Sequence, residues 1–101
     1  MVLIVGGLVI VKALVIEIYI SESFSLKDKR RVVKSILARC RQKFNVAVAE
    51  LDHLNDNKKS TLGFVTITNS TAYADEVLDK CLFLIKSEYS VEVISINRER
   101  I

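Results

Sequence analysis

Hydrophobic and polar residues alternate along the first part of the chain, which is the pattern of a half-buried strand. From Lys12 onward one side of the alternation is purely aliphatic and the other is mixed. The aliphatic side consists of Leu14, Ile16, Ile18 and Ile20. We therefore predict a first strand over Val9–Ile20, with its aliphatic side facing the core. Residues 1–8 are predicted to extend this strand, and the Gly6-Gly7 pair permits a bend or bulge there.

The next segment, Ser25 to Phe44, has the 3.6-residue period of an amphipathic helix. Its predicted core-facing residues are Leu26, Val33, Ile36, Leu37, Cys40 and Phe44. Ser25 is the predicted N-cap, and Asp28 is the acidic half of a capping box. Asn45 is predicted to end the helix in a left-handed conformation.

The remainder of the chain predicts three more strands and a second helix. Val46–Asp52 and Thr61–Thr68 are predicted strands, joined by the polar hairpin loop His53–Ser60 and therefore antiparallel. Residues 69–71, Asn-Ser-Thr, supply N-cap chemistry for a helix that ends near Lys86.

The second helix carries two acidic residues near its start, and a last strand and a polar tail follow it. Asp75 and Glu76 are placed in the first turn of the second helix, where the helix dipole favours them. Val91–Asn97 alternates as a last strand, and Arg98–Ile101 is interpreted as a short polar tail.

The element order β-α-β-β-α-β predicts an α+β fold of the ferredoxin-like type. In that fold a four-stranded antiparallel sheet carries two helices on one face, and we predict that residues 1–101 form a single domain of this kind. The other face of the sheet is then uncovered. It would expose Val9, Val11, Ala13, Val15 and Tyr19. So apolar a face predicts a homodimer or higher homo-oligomer that packs sheet against sheet.

Charge is concentrated on the first helix. The chain carries a formal charge of only +3, but residues 27–43 hold eight Lys and Arg against one Asp. Five of these cations fall within about 100° of the helix circumference. We call them the basic strip: Lys27, Arg30, Arg31, Lys34 and Arg41. Cations near a helix N-terminus oppose the helix dipole, so the strip is either a solvated surface or the contact site of an anionic partner.

The sequence offers little cofactor or metal chemistry. His53 is the single histidine and no C-x-x-C motif is present, so no zinc site is predicted, nor any other cofactor. Cys40 and Cys81 lie on apolar helix faces, which favours reduced, buried thiols over an inter-helix disulfide. The apolar run of residues 1–11 is too short for a membrane span and lacks the marks of a signal peptide, so we expect a cytoplasmic protein with no membrane partner.

Two motifs resemble those of the YlxP-like family (DUF503), a small bacterial domain of unknown function. They are SLKDKR, residues 25–30, and FNVAVAELDH, residues 44–53. The resemblance implies a ferredoxin-like fold. It also implies an RNA-linked role, because the genes of such proteins tend to lie near those for transcription termination, translation initiation and ribosome maturation factors. Residues 1–8 and the loop 55–59 depart from the family pattern.

Two main functional hypotheses follow, and a third is an assembly module whose oligomer surface is its function. In the first, the basic strip contacts the phosphates of structured or ribosomal RNA without reading bases. In the second, Asp52 orients His53 as a general base, with Glu50 on the same strand face, in a small enzyme or ligand-binding protein. No nucleophile or glycine-rich phosphate loop accompanies that trio, and its alternative role is to cap the hairpin or line a dimer interface. No catalytic residue is predicted.

Overall fold

A computed structural model describes residues 2–4 and 7–101, with seven elements in chain order. The strands are β1 (Val2–Ile4), β2 (Gly7–Ile20), β3 (Ala47–Asp52), β4 (Lys59–Thr68) and β5 (Val91–Arg100). The helices are α1 (Leu26–Lys43) and α2 (Thr71–Lys86). In the part of the chain that is described, no helix is long and apolar enough to cross a membrane.

Strand β2 is the centre of an antiparallel sheet. It pairs with β4 over Ile10–Tyr19 and with β5 over Lys12–Ile20, and β3 pairs with the outer edge of β4. The strand order β3-β4-β2-β5 with two helices is the predicted ferredoxin-like α+β arrangement. Strand β1 folds back on Gly7–Val9 and adds a fifth strand. The predicted bend at Gly6-Gly7 lies partly outside the described residues, because Gly6 is not described.

The core lies between one face of the sheet and the two helices. The aliphatic side of β2 is fully buried there, as predicted from its alternation. The other core residues are Val33, Ile36, Cys40, Leu62, Phe64, Leu78, Cys81 and Ile85. Leu37 and Phe44 pack against this cluster while remaining half-buried. Burial of these side chains, at about 25 cal/mol per Å² of apolar surface, is the main force that holds the helices on the sheet.

Three local predictions are wrong. Asn45 is not left-handed; α1 ends at Phe44, which is extended (φ −128°) and donates its backbone N–H to the carbonyl of Cys40 at 2.9 Å. Asp75 and Glu76 fall in the second turn of α2, because the helix begins directly after its N-cap Ser70. Residues 98–100 continue β5, since the long strand β2 still offers pairing partners there.

An extra residue in β3 changes which side chains face the core. The pairing of β3 with β4 shifts register between Glu50 and Asp52, so Leu51 is the extra residue of a β-bulge. Before the bulge Glu50 pairs with the buried Leu62; after it Asp52 pairs with Thr61, on the open face. Glu50 and Asp52 therefore lie on opposite faces of the sheet, and the prediction of a shared face is wrong.

Candidate functional site

The basic strip lies on the solvent side of α1. The buried residues of this helix are Lys29, Val33, Ile36 and Cys40. At 100° per residue, the centre of the strip is about 130° around the helix from the centre of that buried set. All five side chains of the strip are consequently exposed.

The strip cations are unpaired, whereas five other Lys and Arg side chains form ion pairs with carboxylates. Across residues 7–101, no member of the strip forms an ion pair or a side-chain hydrogen bond. Elsewhere Lys12 contacts Asp75 at 2.7 Å and Lys80 contacts Glu76 at 3.1 Å. Arg39, on α1 but outside the strip, pairs with Glu88. The strip is therefore a positive surface whose charge is not neutralised within the described chain.

Part of the strip borders a groove between α1 and β3. The groove has a volume of about 450 Å³ and an aliphatic floor formed by Val33, Leu37 and Ala38. The strip residues Arg30, Lys34 and Arg41 line it, and Glu50 is its acidic lining residue. Lys27 and Arg31 lie outside the groove. The arrangement can hold an anion at the rim, with apolar surface below it.

The start of α1 is fixed by reciprocal capping. The hydroxyl of Ser25 accepts the backbone N–H of Asp28 at 3.0 Å, and the Asp28 carboxylate accepts the backbone N–H of Phe24 at 3.2 Å. The predicted capping box is thus present, with the return hydrogen bond displaced by one residue from the N-cap itself. Capping satisfies the backbone donors of Phe24 and Asp28, which lie on either side of Lys27, and fixes where the strip begins.

Lys29, the fifth residue of the SLKDKR motif, is fully buried. Its Nζ donates to Oε2 of Glu50 at 3.0 Å, to the carbonyl of His53 at 2.6 Å and to the carbonyl of Lys59 at 3.2 Å. Ser60 donates its hydroxyl to the same Glu50 oxygen at 2.6 Å. The motif lysine therefore ties the start of α1 to the β3–β4 connection. Sequence reasoning missed it, although Lys29 lies four residues before Val33 and seven before Ile36, on the apolar face.

The trio Glu50, Asp52 and His53 does not form a common site. The Asp52 carboxylate accepts the backbone N–H of His53 at 2.7 Å, whereas the ring Nε2 of His53 lies 3.3 Å from Oε2 of Glu17. His53 adopts a left-handed backbone conformation (φ 61°). The interpretation of Asp52 as the residue that orients the imidazole is therefore wrong, because the ring partner is Glu17 on β2.

The two cysteines meet where α1 and α2 pack together. Both are free and fully buried, as the apolar pattern predicted. A hydrogen bond from the Cys81 thiol lowers the pKa of Cys40, while the same contact and burial raise the pKa of Cys81 well above its ordinary value. The pair belongs to the packed core and lacks the solvent access of a reactive thiol centre.

Comparison with known proteins agrees with the resemblance carried by the two motifs. The family described as "Protein of unknown function (DUF503)" matches residues 11–98. The chain is 32% identical over 76 residues to "Uncharacterized protein YlxP" of Bacillus subtilis (strain 168), covering 75% of this chain and 83% of that protein. The family match begins after β1, so β1 lies outside the shared region. From these matches the chain belongs to the DUF503 family and is YlxP-like.

Proposed function

We propose that this protein is an RNA-associated binding module that holds the phosphates of structured RNA on the basic strip of α1. One observation carries the proposal: five exposed cations, unpaired within residues 7–101, occupy one face of one helix. Lys27 lies in the first turn of α1, where the helix dipole disfavours a cation, and the binding of an anion would offset that cost. The sugar-phosphate backbone of RNA carries regularly repeated negative charges, and these match a row of cations.

The dimensions of the strip suit a nucleic-acid backbone. From Lys27 to Arg41 the helix rises about 21 Å at 1.5 Å per residue, which is long enough to contact several phosphates. Arg30, Lys34 and Arg41 also border the groove next to β3. An RNA strand that lies along α1 could therefore place its phosphates on the rim of this groove. Each neutralised phosphate releases counterions, and binding should weaken steeply with salt.

Base recognition has little support. Tyr19 is on the open sheet face, but Lys58 Nζ lies over its ring at 6.0 Å from the centroid, and Phe64 is buried in the core. The pair of exposed aromatic residues by which RRM domains stack bases is therefore not formed by these two residues. The proposed contact depends on phosphate positions and shape, with little sequence preference.

The test is fluorescence anisotropy with a labelled RNA hairpin, and with duplex DNA of matched length, at salt concentrations from about 50 to about 200 mM. Wild type is compared with the triple variant Arg30→Ala, Arg31→Ala, Lys34→Ala. The matched control removes the same charge elsewhere: Lys80→Ala, Lys86→Ala, Arg100→Ala. We expect the strip variant to lose binding, or to lose roughly 2 to 3 from the slope of log K against log salt, while the control stays close to wild type. If both triple variants weakened RNA binding equally, binding would depend on net charge alone, and the strip would be refuted as the binding site.

The catalytic alternative is not proposed. Glu50 and Asp52 lie on opposite faces of the sheet, and the imidazole ring of His53 contacts Glu17, whereas Asp52 accepts only the His53 backbone N–H. The sheet surface on which His53 and Glu17 meet supports a different inference, which does not depend on RNA binding.

A further inference from the structure

The sheet face opposite the helices carries an uncovered apolar patch on three of its strands. The patch consists of Val9, Val11, Ala13 and Val15 on β2, Ala47, Ala49 and Leu51 on β3, and Gly63, Val65 and Ile67 on β4. Its most exposed large side chains are Ile67 (60%) and Leu51 (53%). Branched aliphatic side chains on adjacent strands form a contiguous apolar surface, which soluble monomers seldom leave in water.

The patch has a hollow and a projection. Small residues at its centre leave a depression of about 260 Å³, whose lining includes Ala13, Ala49 and Gly63. Leu51, the bulge residue, leans over Gly63, where an added Cβ would lie 2.6 Å from the Leu51 Cδ1. Ile67 projects four residues further along β4. Leu51 therefore covers the Gly63 end of the hollow, which remains open beside Ala13, Ala47 and Ala49.

The remainder of the open face is polar and limits how a partner can lie on it. Strand β5 presents Glu92, Ser95, Asn97 and Glu99 to this side, according to its register with β2. Glu17 and Asp52 add two further carboxylates beyond the end of the patch. A partner that covered the whole face with a similar surface would bring carboxylates together. The favourable contact is therefore confined to the apolar half formed by β2, β3 and β4.

We propose that the occupant of this patch is a second copy of the same chain, packed sheet against sheet over β2, β3 and β4. A two-fold axis that lies between the two sheets and runs along β4 would place β2 of each copy over β3 of the other and leave β5 of both copies outside the contact, in an isologous interface.

The area of the patch agrees with a modest dimer. Seven residues along β2 and three strands spaced about 4.8 Å apart, with their side-chain margins, give roughly 500 Å² from each copy. Two copies would bury roughly 1,000 Å², which is near the lower bound for a specific protein interface. We therefore expect a dimer that forms at micromolar concentration and dissociates on dilution.

The test measures mass in solution by size-exclusion chromatography with light scattering and by sedimentation velocity. The wild type should have twice the 11.4 kDa monomer mass and shift to one times that mass on dilution. Ile67→Glu, which charges the projection, and Ala49→Arg, which fills the hollow, should each give a monomer. Both positions are exposed, so circular dichroism should show an unchanged fold.

Two controls separate this surface from others. Asn97→Lys lies on the polar half of the same face, and Phe83→Glu changes an exposed aromatic residue on α2. Both should leave the dimer intact. A monomeric wild type at about 100 µM, well above the micromolar dissociation constant expected for so small an interface, would overturn the proposal. A dimer that persists in both Ile67→Glu and Ala49→Arg would also overturn it, and so would a dimer that is lost only in Phe83→Glu. None of these outcomes depends on RNA, so the dimer and the RNA-binding function can fail separately.

Discussion

The ammonium group of Lys29 lies 3.0 Å from Oε2 of Glu50, and the lysine side chain has no exposed surface. Removing one partner of such a pair leaves the other charge uncompensated, together with the carbonyls of His53 and Lys59. We expect Lys29→Met to lower the free energy of unfolding by about 3 to 5 kcal/mol. The change in the free energy of unfolding is measured by urea denaturation, with circular dichroism as the signal.

The neighbouring Arg30→Met is the matched control, because Arg30 is exposed and unpaired among the described residues. It should change the free energy of unfolding by no more than about 0.5 kcal/mol. The double variant Lys29→Met, Glu50→Leu should recover only part of the loss, since it restores no donor to the two carbonyls. A single variant as stable as wild type would show that Lys29 is not the tie between α1 and the β3–β4 connection.

The cap of α1 gives a second prediction. Ser25→Ala removes the oxygen that accepts the Asp28 N–H, and N-cap replacements of this kind cost about 1 kcal/mol. Thermal unfolding should show the corresponding decrease in midpoint. Ser35→Ala, at an exposed position inside the same helix, should be neutral or slightly stabilising, because alanine has the higher helix propensity. Equal effects of the two substitutions would contradict the capping role.

Asp56 predicts a pH dependence of stability. Its carboxylate accepts the backbone N–H groups of Lys59 and Lys58 at 2.7 and 2.8 Å, and these hydrogen bonds hold the pKa of Asp56 below its ordinary value of 3.8. A lowered folded-state pKa means that the stabilisation is complete above the unfolded-state value and is lost as the pH falls through the folded-state value.

The measurement compares wild type with Asp56→Ala by urea denaturation across pH. The stability difference should be constant between about pH 7 and about pH 5 and should shrink below about pH 4. Asp56→Asn keeps an acceptor oxygen but cannot titrate, so its stability below about pH 4 should lack the Asp56 contribution to the pH dependence. If the difference between wild type and Asp56→Ala instead grew in acid, the folded state would have to raise the pKa of Asp56.

The buried cysteine pair predicts slow thiol modification. Because Cys40 and Cys81 have no exposed surface, a thiol reagent can reach them only when the helices separate or the protein unfolds. Native protein should label at a rate limited by opening, and two thiols per chain should react at once in denaturant. Immediate stoichiometric labelling of the native protein would show that the α1–α2 contact is open in solution.

Much of the fold could be predicted from the sequence, because hydrophobic periodicity reports which faces are buried. The alternation in residues 12–20 and the helical spacing of Val33, Ile36 and Cys40 identify the core sides of β2 and α1. The pairing of a strand cannot be predicted from the sequence of that segment alone. The strand character of residues 98–100 depends on β2 being long enough to pair with them, and their own polar composition indicated a tail.

The candidate site was less predictable, for two physical reasons. A lysine is normally exposed, so Lys29 was not assigned to the core, and only its three hydrogen-bond partners explain its burial. A single-residue bulge at Leu51 reverses the facing of everything after it, which separated Asp52 from Glu50 and left Glu17 as the ring partner of His53. Neither a buried hydrogen-bonding partner nor a bulge can be deduced from periodicity.

Lys29 and Arg30 are consecutive residues, so the buried anchor of α1 lies directly beside its solvent-facing charges. The backbone under the strip is thus held by the core before any ligand arrives, and association would require no folding of the helix. Such preorganised charge favours fast, electrostatically steered encounters whose on-rate falls with ionic strength. Under the proposed function, weakening the anchor should slow capture of RNA, although the buried Lys29 has no surface with which to contact it.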